Sequence, residues 1–485
     1  MAAQPTTLYW HDYETTGADA RRDRPLQFAG IRTDEDLNVI GEPRVLYCRP
    51  PADVLPAPAA CAITGIGPER AAAEGLCEAE FVAAVLEELA QPGTCGVGFN
   101  SLRFDDEVTR HLLWRNLYDP YAREWRDGNS RWDVIDVFRL ACALRPEGME
   151  WPVRADGTPS FRLEDLAAAN GVEHDAHDAL GDVHATIELT RRLRAAQPRL
   201  YDFVWGHRGW KDSQRRLGLD AGEPALHVSE RYGAGRGCIA PVAAVAPHPF
   251  KAKSVIVADL AADPEPLLRL DAAALAEALF TPAAERATDQ PGIPLQEVAL
   301  NRVPVVVPFN TLDAAAAQRL GVDAEQVRAN LQRLRAEDGL ADKLREVFSH
   351  PPVGEADADV ALYDGFVGEA DRERMDAVHR RAPEELAGFD LGIEDARVRE
   401  LLFRYRARNW PDTLDGAEAE RWRELRWRRL CHGEAGSPRS AMTFRRELID
   451  GLDSGLVGEA LGAELEAWAD RLLSDLPACE GLADG

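Results

Sequence analysis

The chain has 485 residues, of which 45% are hydrophobic and 29% are charged, and its formal net charge at pH 7 is −27. This length exceeds one ordinary hydrophobic core, so several domains are expected, and the composition is that of a soluble globular protein. Because no apolar run is long enough to cross a bilayer, the sequence excludes an integral membrane protein and predicts no membrane partner.

The acidic excess argues against a general binder of polyanions. Charges act over roughly 8 Å in physiological salt, however, so a basic groove is compatible with an acidic shell. Residues 1–7 lack the basic flank and apolar region of a secretory signal. The eight cysteines are scattered and form no Cys-x-x-Cys pair. This predicts a cytoplasmic protein with reduced thiols and neither a zinc site nor a disulfide framework.

The first predicted element is a strand that ends in two carboxylates. Leu8–Trp10 is apolar and aromatic, as in a buried strand, and Asp12 and Glu14 follow two residues apart. Side chains at this spacing share one face, where two carboxylates repel each other unless a cation lies between them. Mg²⁺ prefers such oxygen ligands. The alternative is a solvated strand end, because acidic residues are usually exposed.

Two further carboxylates and a histidine come later in the chain. Asp105 leads into a helical pattern, and Asp182 lies at the start of another helix. His177 precedes Asp182 by five positions, which point apart on one helix, so we place His177 in the preceding loop. Asp106 is an alternative to Asp105, and only one of two neighbours can face the site. Four carboxylates and one imidazole are the groups needed for two-metal phosphodiester hydrolysis.

A stretch between these elements is rich in both cations and rings. Its members are Arg110, Trp114, Arg115, Tyr118, Tyr121, Arg123, Trp125, Arg126, Arg131 and Trp132. Single-stranded nucleic acid is held by this mixture, since cations follow the backbone and bases stack on rings. The alternative is that Trp114, Tyr118 and Trp132 are core residues at helical spacing.

The remaining patterns predict three domains. Residues 1–195 are expected to form an α/β domain with a ribonuclease-H-like mixed sheet, whose strands are predicted at Leu8–Tyr13, Leu26–Arg32, Val39–Cys48 and Cys95–Phe99. Residues 198–350 contain β-like runs at Cys238–Val245, Ser254–Asp259 and Val298–Val307, followed by helical patterns. A linker-like stretch then leads to residues 358–478, which are predicted to be nearly all helical.

Several segments carry a family resemblance. Asp12-x-Glu14, Asp105 and His177-x4-Asp182, in this order, resemble the DEDD superfamily of 3′→5′ exonucleases in its histidine-containing branch. Five segments resemble the bacterial exodeoxyribonuclease I family: His11-Asp12-Tyr13-Glu14-Thr15, Asn100-x2-Arg103-Phe104-Asp105-Asp106-Glu107, Ser130-Arg131-Trp132-Asp133, Ser160-Phe161-Arg162-Leu163 and Arg404-Tyr405-Arg406-Ala407-Arg408-Asn409. The resemblance covers nearly the whole chain.

The resemblance implies both a fold and an activity. Residues 198–350 would form a Src-homology-three-like barrel with helical insertions. The activity would be Mg²⁺-dependent hydrolysis of single-stranded DNA from its 3′ end, releasing 5′ mononucleotides in DNA repair and recombination. Asp12 would bridge two Mg²⁺ ions, with Glu14 and Asp182 at one ion and Asp105, rather than Asp106, at the other. Glu14 would also contact the terminal 3′ hydroxyl, and His177 would deprotonate the attacking water.

The resemblance also implies contacts with DNA and with a partner protein. Arg110 is a candidate from composition, whereas Tyr121, Trp125 and Arg139 align with DNA contacts of the family. Arg162 would hold a phosphate near the 3′ end; the alternative is a surface cation with a packed stem. The family binds the acidic, apolar tail of single-stranded-DNA-binding protein through a basic patch. Arg145 and Arg335 of this sequence match two cations of that basic patch.

One position departs from that basic patch, because Asp313 stands where the resembled proteins carry an arginine. This weakens the expectation of a tight partner contact. A monomer is expected. Two other functions remain open at this point. One is a DEDD exonuclease that acts on RNA ends, since no motif reports on the 2′-hydroxyl. The other is a nucleic-acid scaffold without catalysis.

Overall fold

The computed structural model describes residues 6–174, 178–281, 292–349, 354, 357–387 and 392–479. The chain divides into two compact units. The first contains residues 1–131, 174–187 and 354–485, and the second contains residues 132–173 and 188–353. The first unit therefore joins most of the N-terminal region to the C-terminal region, although these are far apart in sequence.

The described residues form strands and helices in mixed order. The strands are β1 Thr7–Thr15, β2 Pro25–Thr33, β3 Arg44–Tyr47, β4 Thr94–Gly98, β5 Ser130–Asp133, β6 Ala225–Val228, β7 Ile239–Pro247, β8 Ser254–Asp259, β9 Leu295–Ala299 and β10 Val306–Pro308. The helices of the first half are α1 Pro58–Thr64, α2 Pro68–Glu74, α3 Glu78–Leu89, α4 Asp105–Arg115, α5 Ile135–Leu144, α6 Leu163–Ala169, α7 Ala179–Ala196, α8 Pro198–Gly206 and α9 Trp210–Arg216. The later helices are α10 Glu265–Arg269, α11 Ala272–Phe280, α12 Ala314–Leu320, α13 Ala324–Ala336, α14 Leu340–Val347, α15 Glu369–Val378, α16 Ala396–Asn409, α17 Gly416–His432, α18 Ala441–Asp453 and α19 Glu459–Leu473.

The N-terminal sheet is mixed and has the order β3-β2-β1-β4-β5. Strand β1 pairs with β2 in the antiparallel sense and with β4 in the parallel sense. The central position of β1 explains its apolar start, because Leu8 and Trp10 are completely buried. This sheet confirms the predicted α/β class with a ribonuclease-H-like arrangement. Strand β5 has only four residues, too short a run for a periodic pattern, and was not predicted.

The core of the first unit has an apolar part and a charged part. Tyr9, Phe28 and Phe81 pack with α3 and α4 in one apolar cluster. In the charged part, buried Asp359 accepts hydrogen bonds from Arg24 and Arg429, both at 3.0 Å, and from Arg408. Buried Asp53 pairs with Arg408 at 2.8 Å and with Arg429 at 3.2 Å. Other members of this buried network are Asp357 and Arg404. Ion pairs therefore join the N-terminal and C-terminal segments of this unit.

The second unit contains a five-stranded antiparallel sheet with the order β10-β6-β7-β8-β9. Helices α10 and α11 lie between β8 and β9 in the chain. This confirms the expected small β domain with helical insertions. Strand β8 has the predicted bounds, but the predicted run Val298–Val307 is wrong as a single strand. It divides into the end of β9 and the start of β10, because residues 300–305 form a turn and an irregular segment.

Helices α15–α19 make up the C-terminal region, as predicted. No helix among the described residues is both long enough and apolar enough to cross a membrane. One expectation is wrong: Cys431 at the end of α17 and Cys479 are joined by a disulfide, with their Cα atoms 5.0 Å apart. Their separation of 48 residues gave no sequence signal for pairing. The other six cysteines form no disulfide.

Candidate metal centre

Strand β1 presents two of the predicted carboxylates on one face. Asp12 and Glu14 are partly exposed, whereas the alternating residues His11, Tyr13 and Thr15 are buried. This alternation follows from the pleat of the strand. Glu14 lies opposite Gln27 of β2 in the register of the pair. The prediction that the two carboxylates share a face is therefore confirmed at the level of geometry.

Helix α7 brings a third carboxylate to the same place. Asp182 lies in its first turn. One carboxylate oxygen from each of Asp12, Glu14 and Asp182 lies within 4.8 Å of the other two. Buried Gln27 links β2 to the start of α7, because its side-chain oxygen accepts a hydrogen bond from the backbone N–H of Ala179 at 3.4 Å. Sequence reasoning missed Gln27, which carried no signal beyond its position in a strand.

Asp105 and Asp106 separate into different environments. Asp105 is buried at the start of α4, and its Oδ1 accepts a hydrogen bond from the backbone N–H of Tyr13 at 3.1 Å, between the two carboxylates of β1. Asp106 instead pairs with Arg131 at 2.9 Å and with Arg123. Burial would raise the pKa of Asp106, but the two guanidinium groups outweigh it and hold that pKa well below its usual range. Of the two neighbours, Asp105 is therefore the one whose carboxylate lies against the strand that carries Asp12 and Glu14.

The four carboxylates strongly influence one another. Burial, followed by the charges of Asp105, Asp182 and Glu14, raises the pKa of Asp12 well above its ordinary value. Burial and the charges of Asp182 and Asp105 raise the pKa of Glu14 to about 8. Like charges in a partly desolvated site are costly unless cations compensate them. The set consists of hard oxygen donors, which fit a divalent ion such as Mg²⁺.

The predicted base lies in a segment that the structure does not describe. His177 is outside the described residues, so its position carries no structural argument. Close by, the Nε2 atom of His174 contacts Oδ1 of Asp182. The sequence analysis did not identify His174 as a site residue. Its position three residues before His177 was the feature that could have indicated it. The contact fixes the orientation of the Asp182 carboxylate.

The predicted DNA contacts of the first unit differ in exposure. Arg110 is buried, and its guanidinium donates to Glu124 at 2.7 Å and to Glu107 at 2.9 Å. Tyr121 is partly buried, with the guanidinium carbon of Arg110 5.4 Å from its ring centroid. Trp125 is 62% exposed. Of these three, Trp125 presents its ring to solvent.

The predicted DNA contacts of the second unit show the same contrast. Arg139 is buried and pairs with Asp136 at 2.7 Å and with Glu230 at 3.2 Å. Arg162 directly precedes α6, and its side chain is 65% exposed beside Glu164. Arg162 therefore has a guanidinium at the surface, whereas that of Arg139 already contacts two carboxylates.

Both cations of the predicted partner patch have contacts within the second unit. Nη1 of Arg145 lies 3.0 Å from Oδ2 of Asp313, and its Nη2 donates to the carbonyl of Thr311 at 3.1 Å. Arg335 donates to the carbonyl oxygens of Gly222 and Ala221 at 3.0 and 2.5 Å. Asp313 therefore does more than remove a cation from the patch, because it also pairs with one that remains.

The sheet and its acidic centre define a class of enzyme. Residues 9–190 match the family model described as "Exonuclease". Carboxylates at the end of the central strand and on two helices, in a domain of this family, make the chain a metal-dependent exonuclease. Residues 208–350 match the Exonuclease I SH3-like domain, and residues 356–469 match the Exonuclease I C-terminal domain.

Similar proteins narrow this class to one family. Exodeoxyribonuclease I of Escherichia coli strain K12 is 45% identical over 426 residues, which cover 87% of this chain and 90% of that protein. The structure of exonuclease I from Methylocaldum szegediense matches with a TM-score of 0.92 and 48% identity, covering 96% of this chain and all of that one. The chain belongs to the exodeoxyribonuclease I family, as the resemblance of its motifs predicted.

Two further solved structures show what such relatives bind. Escherichia coli exonuclease I in complex with a dA16 oligonucleotide matches with a TM-score of 0.90 and 42% identity, over 96% of this chain and 100% of that one. A structure of SSB/exonuclease I in complex with an inhibitor matches with a TM-score of 0.88 and 42% identity, over 97% of this chain and 100% of that one.

Proposed function

We propose that this exodeoxyribonuclease degrades single-stranded DNA from its 3′ end and releases 5′ mononucleotides, in DNA repair and recombination. The observation that carries the proposal is the convergence of Asp12, Glu14 and Asp182, with ligand atoms within 4.8 Å of one another. The oligonucleotide bound to the Escherichia coli relative supports DNA as the substrate. We place this action in the cytoplasm, because six of the eight cysteines form no disulfide.

The centre has the donors that two divalent ions need. Asp12, Glu14, Asp182 and Asp105 would hold two Mg²⁺ ions, which when bound activate water and stabilise the leaving oxygen. The hydrogen bond from Tyr13 N–H to Asp105, at 3.1 Å, orients that carboxylate towards β1 before any ion arrives. Such a fixed donor set needs little reorganisation on binding. The protein therefore supplies position and negative charge at this centre.

Side chains of the protein then bind the substrate and accept one proton. His177 accepts the proton of the attacking water, whose oxygen bonds to phosphorus while the 3′ oxygen of the preceding nucleotide leaves. Glu14 contacts the terminal 3′ hydroxyl, and Arg162 binds a phosphate near that end. Trp125 stacks on a base. Arg110, Tyr121 and Arg139 are also proposed to border the strand, with Arg110 and Arg139 acting through the groups with which they pair.

The experiment follows release of mononucleotides from dA16 labelled at one end, with matched RNA as the competing substrate. Asp12→Asn and Asp182→Asn should abolish release at any Mg²⁺ concentration, because each removes a ligand charge that added Mg²⁺ does not replace. Glu42→Gln, at an exposed position of the same unit, is the matched control and should keep full activity. Recovery of both aspartate variants at high Mg²⁺ would place the ligands elsewhere, and faster cleavage of RNA would overturn the choice of substrate.

We also propose that the acidic tail of single-stranded-DNA-binding protein binds the patch that contains Arg145 and Arg335, on a monomeric enzyme. The solved SSB/exonuclease I structure supports this partner. Here the pair between Arg145 and Asp313, at 3.0 Å, competes with any acidic ligand, so we expect weaker binding than an all-cationic patch would give. A titration of the tail peptide into the protein and into Arg335→Ala tests this; equal affinities would remove Arg335 from the patch.

A further inference from the structure

Tyr13 contacts the first two turns of α4 with both its backbone and its side chain. It lies on β1 between Asp12 and Glu14, and its N–H donates to Oδ1 of Asp105 at 3.1 Å. Its hydroxyl oxygen lies 3.1 Å from Oγ1 of Thr109, one helical turn after Asp105. Tyr13 and Thr109 are both buried. These two contacts of Tyr13 with α4 are therefore shielded from competing water.

The hydroxyl groups form a hydrogen-bond chain with a fixed direction. Oγ1 of Thr109 also lies 2.8 Å from the backbone carbonyl oxygen of Asp105. A carbonyl oxygen only accepts and a hydroxyl has one hydrogen, so Thr109 donates its hydrogen to Asp105. The contact between the two side chains then uses the hydrogen of Tyr13, whose hydroxyl donates to Thr109. Both donors of Tyr13 thus end at Asp105, one directly and the other through Thr109.

The ring of Tyr13 is held in place by its neighbours. Its centroid lies 4.9 Å from that of Phe28 and 6.2 Å from that of His11, with the His11 ring edge-on. The same apolar cluster contains Val108 and Leu112 of α4. Side chains in a close-packed core have little room to move. Tyr13 is therefore a rigid connection between β1 and α4, beyond the point where the pairing of β1 with β4 ends.

We propose that the Tyr13 hydroxyl is a positioning group for the metal centre, acting through Thr109 to hold Asp105 at the distance from β1 that the second divalent ion requires. This inference rests on the proposed two-ion centre. Carboxylates that converge without ions repel one another. If Asp105 moved away in response, an arriving ion would have to bring α4 back, and that reorganisation would lower the affinity. The connection through Thr109 opposes this movement.

Binding of Mn²⁺ to the whole protein tests the proposal, since Mn²⁺ takes the same oxygen ligands as Mg²⁺. Free Mn²⁺ is measured by electron paramagnetic resonance, in excess thymidine 5′-monophosphate so that a product phosphate completes the coordination. Tyr13→Phe keeps the ring and the N–H but removes the hydroxyl. It should weaken one of the two ions about two- to tenfold, the usual effect of one neutral hydrogen bond, and leave the other unchanged. Asp105→Asn should weaken the same ion.

Variants of Thr109 separate positioning from packing. Thr109→Ser keeps the hydroxyl and should bind both ions as wild type does. Thr109→Val has nearly the shape of threonine but breaks the chain, so it should weaken the same ion at least as much as Tyr13→Phe. The double variant should be no weaker than Thr109→Val alone, because the two changes remove one connection.

Tyr232→Phe is the matched control. It also removes a buried hydroxyl, which lies 2.9 Å from Nδ1 of His227 in the second unit, and it should leave both Mn²⁺ affinities unchanged. In Tyr13→Phe, the Mg²⁺ concentration for half-maximal release of mononucleotides should rise with the same factor, while the KM for dA16 is retained. Equal Mn²⁺ binding by wild type and Tyr13→Phe, or equal losses in Thr109→Ser and Thr109→Val, would overturn the proposal. A wild type that binds two Mn²⁺ ions but releases no mononucleotide would instead contradict the proposed function.

Discussion

Asp359 offers a sharp test of the buried charge network of the first unit. Its carboxylate accepts from Arg24 and Arg429 at 3.0 Å and from Arg408, and it lies 3.3 Å from Arg404. Burial would raise its pKa, but these arginines outweigh burial and hold the pKa well below its usual range. Asp359→Asn keeps the volume of the side chain and removes its charge.

The expected loss is large, because the four arginines stay buried and lose one of the carboxylates that compensate them, which leaves Asp53, Asp357, Glu78 and Glu400. Removing one partner of a buried ion pair costs about 3–5 kcal/mol, mostly as the penalty of the charge left behind. At a urea dependence of about 3 kcal/mol per molar, the unfolding midpoint should fall by roughly 1–1.7 M. Circular dichroism during urea titration measures this shift.

Two further variants make the explanation specific. Asp412→Asn, at an exposed position of the same unit, should leave the midpoint unchanged. Arg24→Met added to Asp359→Asn should restore part of the lost stability, because it removes a surplus cation, and the two changes should be non-additive. An unchanged midpoint in Asp359→Asn, or strictly additive losses in the double variant, would refute the argument that charge balance stabilises this core.

Four other outcomes are expected. His177→Ala should lower turnover about 10²–10⁴-fold, the usual contribution of a general base, with dA16 affinity retained. Stability should fall as the pH drops below about 4, the pKa of aspartate in the unfolded chain. The folded protein holds the pKa of Asp359 below that of the unfolded chain, so the ionised carboxylate stabilises the fold fully above about pH 4. This stabilisation is lost as the pH falls through the pKa of Asp359 in the folded protein. Asp313→Asn should strengthen binding of the acidic tail peptide, measured by calorimetry, because it releases Arg145. Peptide mapping without reductant should find Cys431 crosslinked to Cys479, and Cys479→Ser should lower the unfolding midpoint of the oxidised protein.

For each of these four predictions, one result would contradict it. A loss of less than about tenfold in His177→Ala, below the range for a general base, would make that side chain structural. Constant stability between pH 5 and pH 2 would remove the aspartates of the buried network as its source. Equal peptide affinity in Asp313→Asn would show that Arg145 is not part of the partner patch. Recovery of both cysteines as free thiols after exposure to an oxidant would contradict the crosslink.

The amino-acid sequence determined the chemistry of the centre and much of the fold. The spacing of Asp12 and Glu14 placed both on one face of β1 because side chains alternate along a strand, and the structure has this face. Apolar runs located β1, β2, β4 and β8, since buried strands need continuous apolar side chains. Residue type alone indicated the ligand chemistry, because carboxylates are the donors that Mg²⁺ prefers.

Tertiary structure decided which residues meet and which charges are already paired. Asp105 and Asp106 are equivalent in the sequence. Only the packing of α4 against β1 places the carboxylate of Asp105 at the backbone of Tyr13 and that of Asp106 at Arg123 and Arg131. Composition makes Arg110 a candidate DNA contact, and only the structure shows that its guanidinium is already hydrogen-bonded to Glu107 and Glu124. The pairing of a side chain depends on residues distant in the chain, and neither local periodicity nor composition contains that information.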